Sequence, residues 1–289
     1  HARFDQLAKN LDIELHVLET RSNSLEYPWQ TSFKPIYKIH QIRNNLTNET
    51  DPKIHSIDIQ LKSFLDKIKP KVIFCVGWAD RTYLRLLCLS YKYYIPLVLV
   101  SDSRYSDCKR FFLKEFSKKL LILGFSSAFV AGKESTSYLL NLGLPKEAIF
   151  QPWDVIDNDY FKAQKEKVSP LNEFLCISRY VPKKNHILLL KGYNQYQLNG
   201  GKWGLKLVGY GELKKKIEFK IKELRFPQKV KMIDFQQLDQ ISNTYKESKA
   251  FILASVSDQW GLVVNEAIAS GLPCVVSNRC GCAIDLIEE

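Results

Sequence analysis

The sequence lacks any apolar run long enough to cross a membrane, because Lys, Arg or Ser interrupts its longest apolar stretches within a few residues. It has few histidines, and no two of them have the spacing of a metal-ligand pair. The dinucleotide motif Gly-x-Gly-x-x-Gly with a distal acid is missing from the strand-to-helix turns. These absences exclude a membrane-spanning chain, give no indication of a metal site and disfavour a dinucleotide-dependent oxidoreductase.

Cysteines are present, but their placement does not indicate a disulfide framework. Most of the seven lie within apolar segments, which is typical of buried thiols in a reducing compartment. Cys280 and Cys282 alone are too few for a zinc site, which usually takes four ligands in two paired clusters. We therefore predict a cytoplasmic protein that needs no metal.

Basic residues outnumber acidic ones by 42 to 31, which gives a net charge of +11. Dense clusters occur at Lys109-Arg110, Lys118-Lys119 and Lys214-Lys215-Lys216. This balance fits an anionic partner, such as a nucleotide or the anionic lipids at the inner face of a membrane. Solvated helix faces of a lysine-rich protein are the alternative. Nucleic acid is disfavoured because no recognised binding motif accompanies the charge.

Short apolar segments alternate with segments of helical spacing along the whole chain. The strand candidates of the first half are Ile13–Glu19, Lys71–Gly77, Pro96–Ser101 and Ser126–Gly132. This alternation predicts an α/β fold of the doubly wound type. The charged segment from Lys162 to Pro170 is poor in apolar residues and predicts a linker. We predict two Rossmann-like domains, residues 1–165 and 166–289, that face a cleft.

The most informative segment runs from Ser257 to Pro273. The apolar run Ala250–Ala254 before it predicts a buried strand, and Gly261–Ser270 has helical spacing. A helix that begins after such a loop offers free N–H groups and a positive dipole end to a diphosphate. Asp258 and Glu266 are slightly over two helical turns apart, so they can hold hydroxyls at the two ends of one ligand. A strand-helix unit with solvated acids is the alternative.

This segment resembles the donor-site signature of family 4 glycosyltransferases. In that signature two glutamates separated by seven residues flank a Gly-Leu-Val-like turn, and the second glutamate begins the motif Glu-Ala-x-Ala-x-Gly-x-Pro. The resemblance implies the GT-B fold and a metal-independent transfer that retains the anomeric configuration. It implies that Asp258 contacts the donor sugar, that Glu266 contacts the ribose hydroxyls, and that the amides of Gly261, Leu262 and Val263 contact the diphosphate. Asp258 stands where the family has Glu, which shortens its reach to the sugar by one methylene.

Two cations, Arg179 and Lys184, follow the strand candidate Glu173–Ser178. Breaking a bond to a diphosphate builds negative charge on the leaving group, and fixed cations stabilise that charge as it grows. Arg179 can fork onto two oxygens, whereas Lys184 supplies a point charge. The family has Arg and Lys at this spacing in this role, so we predict that both are catalytic. Solvated surface residues are the alternative.

A glycine turn follows the next strand candidate, at Gly209-Tyr210-Gly211. A lone Gly-x-Gly is more often a turn than a ligand contact. The family places such a turn at the corresponding strand end, which implies that Gly209 lies at the donor site.

The first half would carry the acceptor side. Ligands of doubly wound sheets bind beyond the carboxyl ends of the strands, which singles out Gly77–Asp80 and Ser101–Asp107. These segments resemble a bacterial branch of the same family, whose members often have a catalytic His or Asp in the second loop. Since this loop has no His, we predict that Asp102 positions or deprotonates the acceptor hydroxyl, with a turn cap as the alternative. Three further residues are predicted to form a charge cluster on the surface: Arg104, Asp107 and Arg110.

The family also begins its first domain with a strand and a glycine-rich turn ahead of a helix like that predicted from His1, and continues its second domain beyond Glu289. We therefore expect both domains to be incomplete. The resemblance implies transfer of a sugar from a nucleotide-diphosphate sugar to the hydroxyl of a carbohydrate or lipid-linked acceptor, in bacterial polysaccharide or glycolipid synthesis. A catalytically inactive relative that binds the nucleotide sugar is the alternative.

Overall fold

A computed structural model of the chain describes residues 2–19, 35–42, 54–78, 80–162 and 171–288. The chain divides into two compact units. Unit 1 is drawn from residues 1–102, 109–131 and 135–153, and unit 2 from residues 103–108, 132–134 and 154–289. Two short segments of the first half thus belong to unit 2. Residues 163–170 of the linker predicted from Lys162 to Pro170, and the boundary between 165 and 166, lie outside the described residues, so the boundary stays a prediction.

Unit 1 alternates helices with short parallel strands. Its strands are β1 (His16–Glu19), β2 (Lys38–Gln41), β3 (Ile73–Val76), β4 (Leu97–Ser101), β5 (Ser127–Val130) and β6 (Ile149–Phe150). Its helices are α1 (Ala2–Asn10), α2 (Ile54–Ile68), α3 (Arg81–Lys92), α4 (Phe112–Ile122) and α5 (Lys133–Leu142), the last of which starts in unit 2. One sheet has the order β3-β4-β5-β6, and β1 pairs with β2.

Unit 2 continues the alternation. Its strands are β7 (Glu173–Ile177), β8 (Gly204–Val208), β9 (Val230–Ile233), β10 (Ala250–Leu253) and β11 (Cys274–Val276). Its helices are α6 (Asn158–Lys162), α7 (His186–Leu198), α8 (Lys214–Lys222), α9 (Leu238–Lys246), α10 (Leu262–Ala269) and α11 (Ala283–Leu286).

The sheet of unit 2 has the order β11-β10-β7-β8-β9, and every pairing in it is parallel. The chain runs outward from β7 to β9 and then crosses to the other side of β7 to form β10. The loops that follow β7 and β10 therefore leave neighbouring strand ends in opposite directions, which opens a crevice there. This switch point is where a doubly wound sheet is expected to bind its ligand.

Each unit has a core of its own. In unit 1, buried residues of the two central strands, such as Leu97, Leu99 and Ala128, pack against Leu139 of α5. In unit 2, Leu205 and Leu207 of β8 pack with residues of α7 and α8. Continuous apolar strands of this kind are buried on both faces, as parallel sheets require.

The predicted α/β class with parallel sheets is confirmed, while several element boundaries differ. The strand candidate Ile13–Glu19 begins only at His16, and the segment Gly261–Ser270 of helical spacing forms a helix over Leu262–Ala269. All seven cysteines are free thiols, but Cys88 and Cys108 are exposed. Among the described residues, no helix combines the length and apolar character that a bilayer crossing requires.

Candidate functional site

Lys184 and Asp258 form an ion pair at the switch point of unit 2. Lys184 follows β7 and Asp258 follows β10, so the strand order brings together two residues that are 74 positions apart. Each side chain is only 11% exposed. Ser255 Oγ donates a second hydrogen bond, of 3.4 Å, to the same carboxylate oxygen of Asp258. Two of the predicted catalytic residues are thus direct neighbours.

Hydrogen bonds on both sides of Lys184 connect the loop after β7 with the loop after β10. The amide of Val256 donates to the carbonyl of Lys183 over 2.8 Å. Asn185 Nδ2 donates to the carbonyl of Ala254 over 3.3 Å, from a left-handed backbone with φ of 57°. Asn is one of the few residues other than Gly that adopts this conformation readily. The sequence shows Asn185 after the lysine, but its contact with β10 follows only from the fold.

Helix α10 begins beside the ion pair. Gly261 precedes the helix with φ of 105°, and a Cβ added to it would lie 3.8 Å from Asp258 Oδ2. The first amides of a helix, here those of Leu262 and Val263, have no acceptor within the helix and lie at its positive end. Lys184 and the start of α10 therefore provide two sources of positive potential around one carboxylate. The predicted contacts of these amides with a diphosphate stay predictions.

Glu266 lies farther along α10 and has a tyrosine as its partner. Tyr245 Oη of α9 lies 2.8 Å from Glu266 Oε2 and 3.1 Å from the carbonyl oxygen of Val263. Burial raises the pKa of Glu266 to about 7, and the hydrogen bond from Tyr245 only partly offsets this. When Glu266 is protonated it can donate to Tyr245, whose own hydrogen then reaches Val263, so both contacts are satisfied.

The two acids that the sequence pairs thus have different partners. Asp258 is bound to a cation, whereas Glu266 is bound to a neutral hydroxyl. Their shared grip on one ligand stays a prediction. Tyr245 was missed by sequence reasoning, because nothing in its local pattern separates it from other buried aromatic residues of the core.

Arg179 and Gly209 also lie at strand ends of unit 2. Arg179 is the second residue after β7 and is half-buried. Gly209 directly follows β8, and a Cβ there would lie 2.0 Å from the carbonyl oxygen of Ser178. This close approach is sufficient to explain the glycine, because any side chain would collide with the loop that leads to Arg179. The roles of Arg179 and Gly209 at a donor stay predictions.

Asp102 directly follows β4 and belongs to unit 1. The turn after it is capped by another acid: Asp107 Oδ2 accepts from the amide of Arg104 over 2.7 Å. The predicted role of Asp102 toward an acceptor stays a prediction.

The prediction that Arg104, Asp107 and Arg110 form a charge cluster on the surface is wrong for the two arginines. Arg104 is 2% exposed, and its guanidinium contacts Asp107, Glu134 and the carbonyl oxygen of Arg279. Arg110 is buried against Tyr138, with its Nη1 at 3.0 Å from the hydroxyl. Glu134 and Tyr138, which help to bury the two arginines, lie 30 and 28 positions away in the sequence, so local spacing could not reveal the burial.

Arg104 also supports the site through the backbone. Its Nη2 lies 3.1 Å from the carbonyl oxygen of Arg279, and the amide of Asp258 donates to that same oxygen over 3.2 Å. Gly281 is tightly enclosed here, because a Cβ on it would lie 1.9 Å from the carbonyl oxygen of Gln259. The loop that bears Asp258 is therefore held in place by a buried arginine of unit 2.

A metal cluster is not found among the described residues, where no three His, Cys, Asp or Glu side chains gather as metal ligands would. Two histidines do meet in unit 1: His16 Nδ1 and His40 Nε2 are 2.9 Å apart on the paired strands β1 and β2. They hydrogen-bond to one another. Burial raises the pKa of Cys280 to about 11, which keeps this thiol protonated near neutral pH.

Residues 157–289, most of unit 2, match the family model of glycosyl transferases group 1. This range contains the ion pair, Arg179, Gly209 and α10.

A curated relative, the amylovoran biosynthesis glycosyltransferase AmsK of Erwinia amylovora, is 28% identical over 159 residues, which are 52% of this chain and 39% of the relative. The alignment thus spans about two fifths of that relative's length. Among solved structures, a glycosyltransferase of Rickettsia africae has a TM-score of 0.69 at 15% identity and covers 87% of this chain and 69% of its own. Anabaena Alr3699/HepE, solved in complex with UDP and glucose, has a TM-score of 0.68 at 16% identity and covers 87% and 70%. The fold of the chain, α/β with parallel sheets, is that of these GT-B glycosyltransferases.

Proposed function

We propose that the protein is a glycosyltransferase that moves a sugar from a nucleotide-diphosphate sugar to a hydroxyl of a carbohydrate or lipid-linked acceptor. The observation that carries the proposal is the ion pair of Lys184 and Asp258, which lies beside the start of α10 at the switch point of the sheet. Such a crevice suits a nucleotide, and a cation beside a helix N-terminus suits its phosphates. The match to group 1 glycosyl transferases covers these residues.

In the proposed reaction the bond between the anomeric carbon and the diphosphate oxygen breaks, and the electron pair leaves with the diphosphate. Arg179 and Lys184 stabilise the charge that grows on the leaving oxygens. The acceptor oxygen bonds to the anomeric carbon on the face that the diphosphate leaves, so the configuration is retained. Asp102 takes the proton of the acceptor hydroxyl. With these cations present the transfer needs no metal, and activity should survive chelation by EDTA.

The contacts of the free protein indicate how the donor would bind. Lys184 has the carboxylate of Asp258 as a partner, and a diphosphate carries more negative charge than Asp258 does. When the diphosphate contacts Lys184, the carboxylate of Asp258 becomes available to accept hydrogen bonds from the sugar hydroxyls. Glu266 accepts from the ribose hydroxyls once it is ionised. Because a structural neighbour is in complex with UDP and glucose, uridine diphosphate sugars are the first donors to test.

We place the reaction in bacterial polysaccharide or glycolipid synthesis, at the cytoplasmic face of the membrane. A relative that acts in amylovoran biosynthesis supports this pathway class.

The experiment is calorimetric titration of the protein with UDP, beside Lys184→Ala and the matched control Lys183→Ala. Both variants lose one positive charge from the same loop, but only Lys184 lies at the ion pair. We expect Lys184→Ala to weaken UDP binding about tenfold or more, and Lys183→Ala to change it less than about threefold.

Turnover separates the enzyme from its alternative. A screen of nucleotide sugars should find a donor that the wild type hydrolyses or transfers and Lys184→Ala does not. UDP binding without turnover of any donor would favour an inactive nucleotide-sugar-binding protein. Absence of nucleotide binding would contradict both.

A further inference from the structure

Helix α4 of unit 1 carries its large apolar side chains on the outside. Phe112 is 83% exposed and Leu123, directly after the helix, is 76% exposed; Phe116 and Leu120 between them are also exposed. These four residues are spaced i, i+4, i+8 and i+11, so they lie within an arc of about 80° on the helix surface. They form one continuous apolar stripe.

The side of α4 that faces its own unit combines a polar cluster with Ile122, which is buried in the core of unit 1. Glu115 and Lys118 pair over 2.8 Å, and both contact the hydroxyl of Tyr138 on α5, at 2.9 Å each. Arg110, just before the helix, reaches Glu115 and the same hydroxyl. A surface helix of a globular protein normally places its apolar stripe toward the core and its charges toward water. In helix α4 the continuous apolar stripe is exposed while Ile122 alone is fully buried beside the polar cluster, so the core does not need the stripe.

Only positive charges accompany the stripe. The lysines Lys109, Lys114 and Lys119 are exposed, and on the helix Lys119 lies about 20° from the edge of the stripe whereas Lys114 lies about 120° from it. The one acid of the helix, Glu115, is turned inward and bound by cations. The outer face of α4 therefore combines aromatic rings and leucines with lysines and presents no carboxylate.

The end of α3 continues this face. A Cβ on Gly124, two residues after α4, would lie 2.6 Å from Leu87 Cδ1 of α3, so the ends of the two helices are adjacent. One turn farther along α3, Tyr91 is 84% exposed, and Tyr94 after the helix is 92% exposed. Lys92 between them is exposed as well. We define the α4 surface as Phe112, Phe116, Leu120 and Leu123 with Lys119, Tyr91, Lys92 and Tyr94.

We propose that the α4 surface docks on an anionic lipid membrane. Its occupant must cover apolar rings while it neutralises lysines, and the chain as a whole carries a net charge of +11. Amphipathic helices that lie in a membrane interface have this composition, with aromatic and leucine side chains in the acyl boundary and lysines at the headgroups. Tyrosine is also enriched at such a boundary, because one end of its ring is apolar and the other is polar. The docking is independent of the donor site, since it concerns unit 1 and is measured without nucleotide.

The test is cosedimentation of the intact protein with vesicles of phosphatidylcholine alone or mixed with phosphatidylglycerol. We expect binding to the anionic vesicles and at least tenfold weaker binding to the neutral ones. The double variant Phe112→Ser/Phe116→Ser should lose about tenfold in partition to anionic vesicles. The matched control is Phe219→Ser on α8, which also exposes a phenylalanine among lysines but has no apolar stripe; it should bind as the wild type does.

Charge is tested separately with Lys119→Gln, which should weaken partition about fivefold at low salt, beside Lys114→Gln on the far side of the helix, which should weaken it less. The altered side chains are exposed, so circular dichroism and thermal unfolding should not change. Three results would overturn the proposal: no binding to anionic vesicles, undiminished binding by the double variant, or a wild-type dimer by light scattering that the double variant converts to monomer. The last result would make a second copy of the chain the occupant.

Discussion

Two buried cations of unit 2 contact carboxylates in different ways. Arg104 contacts Asp107, Glu134 and a backbone carbonyl, so its donors are largely used within the protein. Lys184 has Asp258 as its recorded partner in the part of the chain that the structure describes, although an ammonium group can donate three hydrogen bonds. A cation whose donors are used stabilises a loop, whereas one with donors to spare can also bind a ligand. We therefore expect Arg104 to be structural, and the proposed function assigns the ligand contact to Lys184.

The largest effect is expected from a substitution of Arg104, which tests whether this cation serves stability and not ligand binding. Arg104→Gln leaves Asp107 and Glu134 without their cation, and we expect the free energy of unfolding to fall by about 3 kcal/mol. UDP affinity should change little at temperatures where the variant is folded. Urea unfolding followed by tryptophan fluorescence measures the first quantity, and calorimetry with UDP the second.

Arg104→Lys is the control, since it keeps the charge but loses the fork, and should recover part of the lost stability. If Arg104→Gln weakened UDP binding as strongly as Lys184→Ala does while its stability stayed at the wild-type value, Arg104 would be a ligand contact and the distinction would be wrong.

A second prediction extends the comparison to Glu266, a carboxylate whose side-chain partner is the hydroxyl of Tyr245. Burial raises its pKa from the ordinary 4.5 to about 7, so between these values the folded protein holds a proton that the unfolded chain has released. This contribution to stability is fully present below pH 4.5 and is lost as pH rises through 7. We expect the free energy of unfolding of the wild type, relative to Glu266→Gln, to fall by on the order of 2 kcal/mol between pH 4.5 and pH 8.

Urea titrations of the wild type and of Glu266→Gln between pH 4.5 and pH 8 give the difference in their free energies of unfolding directly. A difference that stays constant with pH would show that Glu266 ionises in the folded protein as it does in water. Asp258→Asn offers no substitute control here, because that variant also changes the charge balance around Lys184.

The sequence was sufficient to predict the strand ends on which the site lies, because parallel strands appear as short apolar runs and helix α10 has clear periodicity. It was also sufficient to single out Lys184, Asp258 and Gly261, although that step depended on a family pattern. The sequence could not show that Lys184 and Asp258 are ion-paired, since their contact depends on β10 lying next to β7. Nor could it show the burial of Arg104, whose partners Glu134 and Arg279 are 30 and 175 residues away.

The outward stripe of α4 was hidden for a related reason. Apolar residues at helical spacing normally indicate the face that packs on the core, and only the contacts of Tyr138 with Glu115 and Lys118 reveal that the other face is inward. Periodicity shows that a helix has two faces. Periodicity does not show which face packs against the unit when the polar face can be stabilised by a buried cluster of charges, as it is here by Glu115, Lys118 and Tyr138.

The smallest effect is expected from a substitution of Asp258, which tests whether this carboxylate competes with a ligand for Lys184. Asp258→Asn removes the carboxylate that neutralises Lys184 while it keeps the size of the side chain, so more of the positive potential of Lys184 is available to a diphosphate. We expect UDP to bind about threefold to fivefold more tightly, a gain of about 1 kcal/mol, while sugar transfer falls because the donor sugar loses a hydrogen-bond acceptor. Calorimetry with UDP and a transfer assay measure the two quantities, and Ser255→Ala, which removes only the weaker contact to Asp258, serves as the control. A lower UDP affinity in Asp258→Asn would mean that Asp258 holds Lys184 in place for the ligand and does not compete for it.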